Sequence, residues 1–200
     1  MRVLVAYESN SGSTEEVARV VAETIASENI EVDVKRLAEL DGVGEYDGVA
    51  IGAPMIVGWH RQAVRFIRRH QDPLSRIPVA YFITALSLTE GGRVEELEGM
   101  RIYKDPTLLK KPKRPQRLSF KERHNSLASY LRPVLKKAPK VRPVGIGLFA
   151  GKLDYRKLKF PQMAFVMLMF AEKARDYRNW EQIRGWAAEI RSAFLDGKRR

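Results

Sequence analysis

Apolar and polar positions alternate along the chain at two different periods. Arg2–Tyr7 is a near-continuous apolar run built on Val3, Leu4 and Val5, as expected of a strand buried on both faces. Over 14–27 the period lengthens, and Val17, Val20, Val21, Thr24 and Ile25 share one helical face. Ser13, with Glu16 three residues on, reads as a capping box at the start of that helix. A second strand is predicted over 30–35 from Ile30, Val32 and Val34. A third follows over 46–52, closed by Ala53-Pro54. Ala63, Val64, Phe66 and Ile67 turn inward from a helix over 60–70, and a fourth strand runs over 77–84. Leu127, Tyr130, Leu131, Val134 and Leu135 give helical spacing to 118–137, where Pro133 is expected to bend or break the helix. A fifth strand over 144–150 and two helices over 160–177 and 179–195 complete the chain.

Strands that alternate with helices and are themselves near-continuously apolar form a parallel sheet covered on both faces. Five of them predict a doubly wound α/β fold of strand order 2-1-3-4-5 in one domain over 1–200. Residues 87–119 interrupt this rhythm with Gly91-Gly92, Pro106, Pro112, Pro115 and a Lys110–Arg114 cluster. They read as an insertion, over 88–118, between the fourth strand and its helix, and a connection of this length carries function or stays disordered.

Composition narrows the chemistry. The 200 residues are 44% apolar, enough for a sizeable core, and contain no cysteine, so disulfides, thiolate catalysis and cysteine-type zinc sites are excluded. No run reaches the roughly 20 apolar residues of a membrane span, and Val3–Ala6 reads as a strand rather than a signal segment. The net charge of +12 is concentrated. Residues 101–140 carry thirteen Lys/Arg against Asp105 and Glu122, which accounts for +11 of it. The body of the chain is therefore near neutral, which argues against a surface coated for nucleic acid.

The first strand runs into Ser9-Asn10-Ser11-Gly12-Ser13-Thr14. A strand-to-helix turn at the carboxyl edge of a sheet aims free N–H groups and the helix dipole at one point, an anion site. The hydroxyls and the Asn10 amide add donors, and Gly12 allows close approach or a positive φ. The alternative is a capped turn without a ligand. GxxxxGK[ST] and GxSxG are both absent, so the loop is neither a P-loop nor a nucleophile elbow.

In this setting the segment resembles the FMN-phosphate loop of flavodoxins, [ST]-x-[ST]-G-x-[ST], with Ser9, Ser11, Gly12 and Thr14 in its four fixed slots. The stretch from Ile51 to His60 resembles the second flavin loop. Val144–Leu153 and Asn179-Trp180-Glu181-Gln182-Ile183 are similar to the branch of flavodoxin-domain proteins typified by menaquinone-dependent protoporphyrinogen IX dehydrogenase. The resemblance implies a flavodoxin-like three-layer sandwich and FMN as cofactor. It implies flavin contacts from Ser9, Asn10, Ser11, Gly12, Ser13 and Thr14, from Pro54, Met55, Ile56, Val57, Gly58, Trp59 and His60, and from Thr84, Ala85, Leu86 and Ser87. Electrons would pass from a porphyrinogen-like or other small substrate to a quinone, in a cytoplasmic protein; separately, the basic tract and the methionine-rich segment predict peripheral contact with anionic lipid at the inner face of the membrane. A homodimer is left open. Electron-carrier flavodoxins are usually strongly acidic, and this chain is basic.

Several features keep two readings at this stage. Trp59 either stacks on the flavin ring or packs on the fourth helix. Lys110, Lys111, Lys113, Arg114 and Arg117 could bind substrate carboxylates, rest on anionic lipid, or be a solvated loop; a nucleic-acid contact is poorly supported. Residues 160–170, rich in methionine and aromatics, are either a core or dimer helix or a segment lying on lipid or a quinone tail. Asp72, Asp154 and Asp176 have no visible partner in the sequence. No side chain is assigned as acid or base, and no metal site is expected. The alternatives to an FMN oxidoreductase are a non-catalytic electron-transfer flavodoxin and a flavin-free module that binds membrane or RNA.

Overall fold

The computed structural model describes residues 1–55, 59–90, 100–154 and 174–197. Strands β1 (Arg2–Tyr7), β2 (Glu31–Arg36), β3 (Gly48–Pro54), β4 (Val79–Ala85), β6 (Ile102–Lys104) and β8 (Gly145–Ala150) form one sheet of order β2-β1-β3-β4-β8-β6. All its pairings are parallel. The five expected strands are present in the expected order. The sixth, β6, comes from the insertion and pairs with the outer edge of β8. The sequence reading missed it because Ile102-Tyr103-Lys104 is too short to show a period.

Helices cover both faces. α1 (Ser13–Ile25) and α6 (Trp180–Gly197) pack on one, where Val17, Val21, Ile25, Trp186, Ile190 and Phe194 meet Val3, Val5, Ala80, Phe82 and Phe149. α2 (Arg61–Arg69), α3 (Gln71–Leu74) and α5 (Leu127–Lys137) pack on the other. There Val64, Ile67, Leu74, Leu131 and Val134 meet Leu4, Val49, Ile51, Tyr81 and Ile146. Each large side chain buried this way contributes roughly 1.5–3 kcal/mol. At the sheet's centre Gly52 stands beside Phe82 in register, and a methyl on Gly52 would lie 1.9 Å from the Phe82 ring.

The predicted helix over 118–137 is two helices, α4 (Phe120–His124) and α5. The break falls at Asn125-Ser126 rather than at Pro133, which sits inside α5. The Ser126 hydroxyl accepts the Ser129 N–H and opens a new helix there. Arg175-Asp176, expected in a helix, instead form a short antiparallel pair, β10, with Lys152-Leu153, β9. The rest of the expected helix over 160–177, with its methionine-rich segment, lies outside the described residues except for residues 174 and 177.

The insertion is tied to the sheet's carboxyl edge. Leu88-Thr89 (β5) pair with Leu109-Lys110 (β7). Asp105 is fully buried and accepts the Thr107 N–H at 2.9 Å, its hydroxyl at 2.7 Å and the Ala150 N–H at 3.3 Å. Among the described residues no helix is long and apolar enough to cross a membrane.

Candidate functional site

β1, β3 and β4 all end at the same edge, and the loops that follow them meet there. The first carries Ser9 to Gly12 into α1. Gly12 has φ +85°, the left-handed conformation that glycine adopts without a Cβ penalty. It occupies the N-cap position, and no side chain caps the helix. The expected Ser13–Glu16 capping box is not formed. Gly12 turns the chain so that Ser13 is already the first helical residue, and Glu16 bonds instead to Arg178 at 2.8 Å. The uncapped N-terminus leaves first-turn N–H groups facing the loop that carries Ser9, Ser11 and Ser13. The loop is held from within, since Ser9 Oγ accepts the Gly12 N–H at 2.9 Å. Asn10 is exposed and Ser11 partly so. This donor set fits a phosphate group, held by neutral dipoles and hydroxyls.

The β4 end joins this loop directly. Thr14 and Thr84 are buried and their hydroxyls are 2.9 Å apart. Ala85 and Ser87 are buried and Leu86 is partly exposed. The Ser87 carbonyl accepts the hydroxyl of Tyr130, whose pKa burial pushes up. The β3 end supplies Pro54, Met55, Trp59 and His60, while Ile56, Val57 and Gly58 lie outside the described residues. Trp59 is packed on the sheet, against strand residues rather than a helix. It is 3% exposed, donates its indole N–H to the Ala53 carbonyl at 3.2 Å and rests on Tyr81 at 5.2 Å between centroids.

Sequence reasoning missed a charged cluster beneath the first loop. Glu8 has a side chain only 6% exposed, and its Oε1 has no partner among the described residues. Arg36, at the end of β2, donates to the Ser9 carbonyl at 3.0 Å and stands 4.0 Å from Glu8 Oε2. His60 completes the cluster with a buried Nδ1 that has no partner among the described residues. Burial holds its pKa below the ordinary imidazole value, Arg36 acts in the same direction, and Glu8 opposes them. A signal was available: β1 and β2 are parallel neighbours, so Tyr7 and Arg36 reach the same edge. Arg178, whose side chain is 2% exposed, was also missed; it donates to the Ser13 carbonyl at 3.2 Å and to Glu16 and Asp176. Asp176 therefore has a partner, as does Asp72, paired with Lys140 at 2.7 Å.

The basic insertion divides. Lys113, Arg114 and Arg117 surround a cavity of about 470 Å³ together with Arg123, Leu118 and Phe120. Lys110 lies on β7 and Lys111 is exposed, and neither lines that cavity. Glu122 folds the tract onto α4 by accepting the Lys113 and Ser119 N–H groups, both at 2.7 Å. Hydrogen bonds from the Ser119 side chain and from these N–H groups pull its pKa down to about 2.

A flavodoxin domain model matches residues 4–178. The chain belongs to the flavodoxin domain family. Protoporphyrinogen IX dehydrogenase [quinone] from Escherichia coli strain K12 is 23% identical over 201 residues, covering 95% of this chain and 94% of that protein. A mutant flavodoxin from Pseudomonas aeruginosa superposes with a TM-score of 0.51 at 14% identity, covering 98% of this chain and 99% of that one. The flavodiiron protein of Giardia intestinalis gives 0.50 at 12% identity, and the match covers 98% of this chain and 36% of that one. At these identities the solved structures speak to the fold. Within the flavodoxin domain the uncapped turn at Gly12 and the Thr84–Ser87 strand end occupy one edge of the sheet.

Proposed function

We propose that this chain is an FMN-dependent oxidoreductase that passes electrons from a carboxylate-bearing small molecule of the porphyrinogen class to a quinone. The observation that carries the reading is the α1 N-terminus, which lacks a side-chain cap, turns on a left-handed Gly12 and follows a hydroxyl-rich loop. Family membership supports the same cofactor, because flavodoxin domains typically bind FMN. Support for the substrate and acceptor comes from the E. coli relative, whose name specifies both and which aligns over 95% of this chain. The cations around the Lys113–Arg123 cavity suit carboxylates, which guanidinium groups bind in pairs of parallel hydrogen bonds.

Bound flavin would supply the redox chemistry. The protein's part is to hold and orient. Ser9, Ser11, Ser13 and the first-turn N–H groups hold the phosphate. Arg36 fixes the loop through the Ser9 carbonyl. Of the residues expected to frame the ring, Pro54, Met55 and His60 and Thr84 to Ser87 are the described ones that would do so. His60, whose pKa burial lowers, holds at this edge a buried Nδ1 that has no hydrogen-bond partner among the described residues.

The test is anaerobic protoporphyrinogen oxidation by FMN-loaded protein, with and without a menaquinone analogue. Quinone-dependent turnover is the expected result. Flavin-loaded protein without turnover would overturn the enzyme reading and leave a one-electron carrier.

A further inference from the structure

A second basic cavity lies away from the insertion. α2 and α5 pack together, and between them opens a groove of about 320 Å³. Its floor is apolar, made by Trp59, Val64 and Pro133. Its rim is cationic, made by Arg61, Arg65 and Arg68 of α2 and Lys137 of α5. No acid lines it, and among the described residues none of the four cations makes an ion pair.

This arrangement opposes the stability of α2. The helix carries four arginines and no acid in nine residues. Arg61 and Arg65 are a like-charge i,i+4 pair, and Arg65 and Arg68 are one turn apart, both unfavourable on an isolated helix. Arg61 stands in the first turn, where the helix dipole disfavours a cation. The stripe gains compensation when an anion lies along it. The size also speaks for a small molecule, since about 320 Å³ is at the lower end of ligand pockets. Arg61 and Arg68 are seven residues apart, so their Cα atoms are separated by about 10 Å along the axis.

We propose that the α2–α5 groove binds a small organic dianion, with its apolar body against Pro133 and two carboxylates reaching the arginines. The site differs from the Lys113–Arg123 cavity, where Glu122 puts an acid on the wall. None of its four cations belongs to the loops that flank Gly12 or Thr84, although Trp59 on its floor ends the loop after β3.

The probe is 2,6-naphthalenedicarboxylate, titrated calorimetrically into the full-length protein at moderate salt. Saturable one-site binding is expected, weakened about tenfold or more in the R65Q/R68Q variant. Both arginines are exposed, so that variant is expected to keep its fold and its FMN binding, checked by circular dichroism and flavin titration. R65K/R68K, which keeps the charge, should recover part of the affinity. Inorganic phosphate and a poly-glutamate peptide are the comparison ligands. No saturable binding, or equal binding to wild type and R65Q/R68Q, overturns the site. Phosphate binding as tightly as the dicarboxylate removes the role of the apolar floor and overturns the organic-dianion assignment. Tighter binding of the peptide makes the groove a protein-docking surface and overturns the small-molecule assignment.

Discussion

The hydroxyls of Thr14 and Thr84 lie 2.9 Å apart in a buried position. One belongs to the first turn of α1 and the other to the end of β4. This contact joins the phosphate-type loop to the strand end that would edge a flavin ring, so the two parts of the site are fixed relative to one another. Replacing Thr14 with Val keeps the shape and leaves the Thr84 hydroxyl buried without its partner. The expected loss is about 1–3 kcal/mol of stability, read from urea unfolding, and T14V/T84V should recover part of it. A single variant as stable as the wild type would show that the contact contributes nothing.

The order of the sheet was legible because β1, β3, β4 and β8 are apolar throughout and separated by helical spacing. The site loop was legible because six small polar residues stand where a turn needs two or three. Other features depended on distance in sequence. Arg36 reaches Ser9 only through the parallel pairing of β1 and β2. Arg178 reaches Ser13 from 165 residues away. The false capping box had the right spacing, but the conformation of Gly12 shifted the helix start by one residue. The break before α5 came from Ser126, a cap that the apolar periodicity ran straight through.

Gly52 is required by contact rather than by backbone freedom. Its Cβ position is 1.9 Å from Phe82 Cε2 and Cζ, so Gly52→Ala must displace a fully buried ring. Overpacking of this kind typically costs about 1–3 kcal/mol, and the expected result is a clear fall in the thermal midpoint. G52A/F82L should recover part of the loss, whereas an unchanged midpoint for G52A would refute the packing account.

His60 makes stability depend on pH. Its folded pKa lies below the ordinary imidazole value, mainly through burial. Below about pH 6.5 the unfolded chain therefore binds a proton that the native protein resists. Stability from this residue is complete above that value and falls as pH drops toward the lower folded pKa. Urea midpoints at about pH 7.5 and about pH 5.5 should differ more for wild type than for His60→Asn. Equal differences would show that His60 titrates normally.

Asp105 anchors the insertion to β8. Asp105→Ala removes the cap of the turn at Thr107 and leaves the buried Ala150 N–H without its carboxylate. A loss of about 1–3 kcal/mol is expected, together with faster limited proteolysis within 88–118. Proteolysis at the wild-type rate would show that β6 and β7 hold the insertion unaided.

The central claim is that an open α1 N-terminus turning on Gly12 holds the phosphate of FMN. Titration of apo-protein into FMN, followed by flavin fluorescence, tests it most directly. Gly12 has φ +85° and nothing within 4 Å of its Cβ position, so a substitution there acts through the backbone. A β-branched residue meets a left-handed penalty of roughly 1–2 kcal/mol, while asparagine tolerates the conformation. The account predicts saturable quenching by the wild type, near-wild-type affinity for Gly12→Asn and affinity lowered about 5- to 30-fold for Gly12→Val. Wild-type affinity in Gly12→Val, or no quenching by the wild type, would contradict it.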